Sequence, residues 1–227
     1  MYWHEESDPN EIYQVPDDVF DIAFKLTGSQ LAVDHAQSLA HAVCANLAED
    51  TRSQIGIHQV RVAESGNGWK RPGSGDEFLH LSRRTKLVLR VNQEVYEDVL
   101  QLTGCELEMD GRRLKVGVGT VKKLTTITTL FSHGIVCDDA QSETEFLADM
   151  AAALRQMEIK VKKMICGMTR SIRSDSGSVF TRALMVANLT PEESVLLQQR
   201  GIGAGRLVGC GLFIPHRGID AVFNAQQ

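Results

Sequence analysis

One order of elements occurs twice along this chain, and no other feature restricts its fold as tightly. Val19–Leu26 (VFDIAFKL) alternates apolar and polar residues as a half-buried strand does. Asp34 offers an N-cap ahead of HAQSLAHAVCANL, in which Ala36, Leu39, Ala40, Val43 and Leu47 recur at helical spacing. Gly56–Val62 and Lys86–Val91 are strand-like and are separated by the glycine-rich stretch SGNGWKRPGSGD. Gln93–Leu102 reads as a second helix stopped by Gly104, and residues 106–109 and 113–122 form an extended pair around the Asp110-Gly111 turn. The order is β-α-β-β-α-β, the ferredoxin-like arrangement.

The second copy follows. Leu130–Val136 is strand-like, Ser142–Met157 is a strongly amphipathic helix, and Ile159–Gly167 with Val179–Ala187 flank a turn at Ser174–Gly177. Thr190 at N-cap, Pro191 at N1 and Glu193 completing a capping box start a helix that runs to about Arg200. Val208–Ile214 supplies the expected last strand. The fold class is therefore α+β, two tandem ferredoxin-like (RRM-like) domains, residues 1–128 and 129–227. Such a sheet leaves one face open, and RNA is a frequent occupant of that face. Small-molecule sensors and metal chaperones use the same topology, and the aromatic signature of an RNA-recognition motif is absent from both copies.

Composition narrows the class. Of 227 residues, 43% are hydrophobic and 23% charged, ordinary values for a soluble globular protein. No apolar run approaches the ~18 residues of a membrane span, and the acidic, polar N-terminus is the wrong chemistry for a secretory signal. The five cysteines are scattered without a C-x-x-C pair, which reads as reduced core thiols in a cytoplasm and gives no metal-ligand spacing. A net charge of −5 argues at first against a nucleic-acid partner. It hides an asymmetry, because residues 158–227 hold nine basic and five acidic side chains, a field that attracts a polyanion or simply a solvated charged face.

The most informative segment is Gly201–Gly218, GIGAGRLVGCGLFIPHRG, with Arg200, Arg206 and Arg217 among its glycines. Such a backbone can cradle phosphates on its amides with arginine adding bidentate contacts, or it can form a helix cap, a flexible loop and a tightly packed strand. A helix, a G-x-G-x-G-R loop and V-G-C-G-L-F-I-P-H closing a second ferredoxin-like domain resemble the glycine-rich loop of the Cas-six family of CRISPR repeat-processing endoribonucleases, most closely its Cmx-six branch. VPDDVFDIAF, VDHAQSLAHAV, AESGNGWKRP, LSRRTKLVLRV, TTLFSHGIV and TRALMVANLTPEESVLLQQRGIGAGRLVGCGLFIPHRGI carry the resemblance in the expected order.

The resemblance implies binding of the repeat in a precursor CRISPR RNA and one cut per repeat. The 2′-hydroxyl beside the scissile phosphate attacks, leaving a 2′,3′-cyclic phosphate and a 5′-hydroxyl, so neither metal nor cofactor is expected. The protein would supply proton transfer, charge stabilisation and in-line geometry. The enzyme would stay on its crRNA product and join other subunits of a type I-like CRISPR surveillance complex, without membrane attachment. A catalytically silent crRNA-hairpin-binding subunit is the alternative, and a small-ligand sensor is a third reading.

The family's catalytic histidine commonly lies in or near the first helix, so the resemblance places it at His35. A helix N-terminus also disfavours imidazolium and keeps a neutral base available. His41 ranks second; six positions put it roughly 240° around the helix, so the two cannot face one site. Where the family has a lysine after the first helix, residues 48–58 hold Arg52 and no lysine, leaving the transition-state partner open. The expected RNA-binding set is Lys160, Lys162, Arg170 and Arg173 on a basic hairpin, Lys70 and Arg71 beside Trp69, Gly203, Gly205 and Arg206 in the loop, and His216. Trp69 could stack on a base or fold over the first domain.

Overall fold

The computed structural model of the chain describes residues 13–61, 78–175 and 177–216. Its backbone is organised by two antiparallel sheets. The first contains β1 (Val19–Thr27), β3 (Ile55–Ile57), β5 (Lys86–Asn92), β6 (Glu106–Met109) and β7 (Arg112–Lys123), in the order β3-β5-β1-β7-β6. β2 (Gln30–Ala32) and β4 (Phe78–His80) pair as a separate ribbon that the sequence pattern did not announce. Among the described residues, three helices belong to this half: α1 (Ala36–Cys44), the single turn α2 (Glu49–Arg52) and α3 (Tyr96–Leu100), the last preceded by a 3-10 turn. The period of two in β1 sends Phe20, Ile22, Phe24 and Leu26 into a core shared with Leu39, Val43 and Val99 of the helices. Burying each such side chain contributes about 1.5–3 kcal/mol.

The second sheet contains β8 (Leu130–Val136), β9 (Lys163–Ser174), β10 (Gly177–Ala187) and β11 (Phe213–Pro215), in the order β11-β8-β10-β9. α4 (Glu143–Gln156) and α5 (Pro191–Arg200) cover it, and Phe146, Leu154 and Leu197 meet Leu130, Leu184, Val186 and Phe213 in a separate core. Both helices open on a capping box: Thr190 with Glu193, as the sequence indicates, and Ser142 with Glu145. Setting β6 aside, the two sheets have one order: the last strand of each half lies beside its first, and the first beside its third.

Three local expectations differ. α1 is capped by His35, without a side-chain cap bond, because Asp34 turns instead to the hairpin of β9 and β10. β9 starts at Lys163, four residues later than the apolar pattern suggests, and extends to Ser174. The expected strand over Val208–Ile214 shrinks to Phe213–Pro215, since Gly205 and Gly209 take left-handed φ values of 85° and 80° and bound a 3-10 turn.

That turn wedges between the two halves. Leu207 and Val208 pack on the first core, and a Cβ at Gly209 would come within 2.8 Å of Gln59 Cγ and 3.2 Å of Ile57 O. Beside it Arg90, 1% exposed on β5, donates from one nitrogen to the carbonyls of Gln198 and Phe213 at 2.7 and 2.8 Å. Its other nitrogens donate to the Asp21 carboxylate at 2.9 and 3.0 Å, across the β1–β5 register. One buried guanidinium thus ties the first sheet to the α5 and β11 backbone.

Candidate active site

The apolar stripe of α1 buries Ala36, Leu39, Ala40 and Val43, so Gln37, Ser38 and His41 turn outward. They line one wall of a cleft of about 520 Å³. The Asp110-Gly111 turn supplies the second wall; both residues have positive φ, as a two-residue hairpin turn requires, and this presents Asp110 and Arg112 at its tip. The β9–β10 turn, with Arg173, Ser174 and Asp175, forms the third. The cleft therefore exists only because the second half folds back over the first.

His41, with its side chain 58% exposed, places Nε2 2.8 Å from Asp175 Oδ2. Gln37 Nε2 lies 2.8 Å from the same ring nitrogen and donates to the same carboxylate oxygen at 3.0 Å. Ser38 Oγ donates to Asp110 Oδ2 at 3.1 Å, and the Arg112 guanidinium sits 3.9 Å above the Phe78 ring. The Arg173 amide donates to Asp34 Oδ2 at 3.1 Å, with its Nε 3.8 Å from that oxygen. Two arginines and an accessible imidazole, a set suited to a phosphate and to proton transfer, thus share a cleft with three aspartates.

His35 is placed elsewhere, and the assignment of proton transfer to it needs correcting. It is 1% exposed; Nδ1–H donates to Ala32 O at 2.9 Å, and Nε2 accepts the Val60 amide at 3.0 Å. Both ring nitrogens are committed to backbone, which fixes the neutral tautomer and leaves none for a substrate. Arg206 also makes contacts within the protein. Its guanidinium is half-buried and donates to the Arg200 and Gln199 carbonyls at 2.6 and 3.3 Å, where it closes the C-terminus of α5.

The other candidates are dispersed. Arg173 lines the cleft and Arg170 is exposed further down β9. Lys160 and Lys162 are exposed ahead of β9, outside the cleft lining, with the Lys160 amide donating to Glu193 at 2.7 Å. Gly203 is exposed and Gly205 half-buried. His216 is exposed after β11, its ring centroid 5.8 Å from that of Phe131. Lys70 and Arg71, with Trp69, lie outside the described residues. Arg52 donates to Leu47 O at 3.0 Å. Sequence reasoning missed Gln37, Asp175 and Arg112, although Gln37 and His41 stand one helical turn apart on the polar face.

A second group of charges is internal. Burial alone would raise the Asp21 carboxyl, but His58 and the Arg90 guanidinium outweigh it and hold the group far below the usual carboxylate range. Burial pushes His58 down from its ordinary value against the pull of Asp21, whose Oδ1 lies 3.5 Å from its Nε2, a distance too long for a strong hydrogen bond. Burial likewise pushes the Cys210 thiol up to about 11, which makes it a core thiol. Among the described residues no helix is long and apolar enough to cross a membrane.

Two antiparallel sheets, each covered by helices and jointly closing a polar cleft, define an α+β protein whose site is built from both halves. Residues 20–218 match the family model described as Cas6 Crispr, so the chain belongs to the Cas6 family, called Cas-six above. It is 30% identical over 196 residues to a CRISPR-associated endonuclease Cas6 of Myxococcus xanthus (strain DK1622), covering 86% of this chain and 80% of that protein. Its fold is similar to a Cas6-related protein of Pyrococcus furiosus, with a TM-score of 0.61 at 12% identity over 86% of this chain and 98% of that one. A CRISPR-associated protein Cas6 gives 0.56 at 10% identity, over 88% and 100% of the two chains.

Proposed function

We propose that this chain is an endoribonuclease that binds the repeat of a CRISPR precursor transcript and cuts it to mature crRNA. Membership of the Cas6 family and likeness to a named CRISPR endonuclease support the substrate and reaction class. The observation that carries the residue-level reading is the exposed His41 in a cleft shared by both halves, with Arg112 and Arg173 beside it. His41 takes the proton of the 2′-hydroxyl; O2′ bonds to phosphorus, the P–O5′ bond breaks, and O5′ leaves with a proton from solvent. The two arginines offset the charge that builds on the phosphate. The nucleophile belongs to the RNA, and we assign no metal to the reaction.

The finer reading of the fold is two ferredoxin-like domains, 1–128 and 129–227, with the repeat lying across the cleft and reaching Arg170 on the hairpin. Retention of the product and assembly with other surveillance-complex subunits belong to the same proposal. The test is a labelled RNA carrying the CRISPR repeat of the source genome, incubated with the protein in excess EDTA. One cut with a cyclic phosphate end is expected, and none on RNA with a single 2′-deoxy substitution before the scissile bond. Cleavage of the deoxy substrate, or a strict magnesium requirement, overturns the mechanism; binding without any cut assigns the chain to silent crRNA binding.

A further inference from the structure

The turn of the β9–β10 hairpin brings a carboxylate directly onto the histidine of the first half. Asp175 follows His41 by more than a hundred residues, yet its Oδ2 stands 2.8 Å from His41 Nε2. Gln37, one turn before His41 on α1, donates to that same oxygen at 3.0 Å. An ionised carboxylate has no proton to give. The Gln37 amide nitrogen, itself a donor, also lies 2.8 Å from Nε2, so the two contacts compete for that ring nitrogen; with the carboxylate as its partner Nε2 carries the proton, Nδ1 keeps the lone pair, and Gln37 donates to Asp175 alone.

We propose that Asp175 is a positioning residue for His41 in RNA cleavage, an inference that rests on the reading of His41 as the proton acceptor. Asp175 holds the ring in the tautomer whose Nδ1 can accept the 2′-hydroxyl proton. It also offsets the positive charge the ring then carries, while Gln37 holds the carboxylate oxygen in place. The hairpin is accordingly part of the catalytic apparatus as well as a basic arm for RNA. A carboxylate beside a phosphate works against RNA affinity, so its value is realised in the reaction and not in binding.

That separation supplies the test. Asp175→Asn keeps the size and removes the charge, Asp175→Glu keeps the charge, and both are measured for repeat-RNA affinity and single-turnover cleavage against His41→Ala. Asp175→Asn should cut about 10–100-fold more slowly, the range for outer partners that orient metal-ligating histidines, taken here as a guide. It should bind the repeat as tightly as the parent or more tightly, and Asp175→Glu should recover most of the lost rate. Adding Asp175→Asn to His41→Ala should cost nothing further, because the two act as one unit. Parent-like cutting by Asp175→Asn, or a loss matched by weaker RNA binding or a lower melting temperature and not recovered by Asp175→Glu, overturns the inference. Parent-like cutting by His41→Ala overturns the reading of the site itself, so the two failures are distinct.

Discussion

With Nδ1–H on the Ala32 carbonyl and Nε2 beneath the Val60 amide, His35 joins the start of α1 to the backbone that follows β3. Truncating it strands the Val60 amide in the core, a loss of about 1–3 kcal/mol. His35→Ala should therefore lower the melting temperature while the folded fraction keeps its cleavage rate. His41→Ala should do the reverse, slowing single-turnover cleavage by about 10²–10⁴-fold at unchanged stability. Identical behaviour of the two variants would contradict this division. The division was half legible in the sequence. The 240° between the positions is a property of any helix, and the stripe of Ala36, Leu39, Ala40 and Val43 marks the inward face. What the sequence could not reveal is the ribbon of β2 and β4 and the Val60 amide closing over His35. Asp175 was equally hidden, because its approach to His41 depends on how two distant halves pack.

At the scale of elements, the glycine-rich segment packs closely on its own chain. The Gly211 amide donates to Gly134 O at 2.8 Å and its carbonyl accepts Ile202 N–H at 3.1 Å. A Cβ at Gly211, where φ is 69°, would collide with the Ile202 carbonyl oxygen. Gly211→Ala should thus lose at least the ~1–2 kcal/mol of left-handed backbone strain, with more from the collision. Gly203→Ala, whose Cβ would meet nothing nearer than Ile135 at 3.7 Å, should lose the backbone term alone. Thermal melts of the two compare them directly, and equal losses would contradict the packing role. The glycine density was plain in the sequence, whereas the tight packing of Gly211 on Ile202 was not. By contrast the capping box of α5 was fully legible, since all its determinants lie within four residues.

For the molecule as a whole, the buried group of Asp21, His58 and Arg90 sets the response to acid. His58 is held below its ordinary value by burial, so below about pH 6.5 the unfolded chain binds a proton that the folded chain refuses. Asp21 is also depressed, so its contribution is complete above about pH 3.9 and is lost as pH falls further. Both signs agree: stability should be level above about pH 6.5 and decline below it. Melting curves from pH 8 to pH 4 should follow that course, and His58→Gln should flatten the span between about pH 4 and 6.5. An unchanged slope in the variant would remove His58 from the account. Arg90 has a consequence of another kind. Its partners in the second half are main-chain carbonyls, 108 and 123 residues downstream, and every amino acid carries a carbonyl. The attachment to Arg90 itself uses no side chain at positions 198 and 213, although Phe213 and Gln198 are held by burial and hydrogen bonds of their own. On the Arg90 side the joint is set by side chains of the first half, and on the other by the path of the second half's backbone.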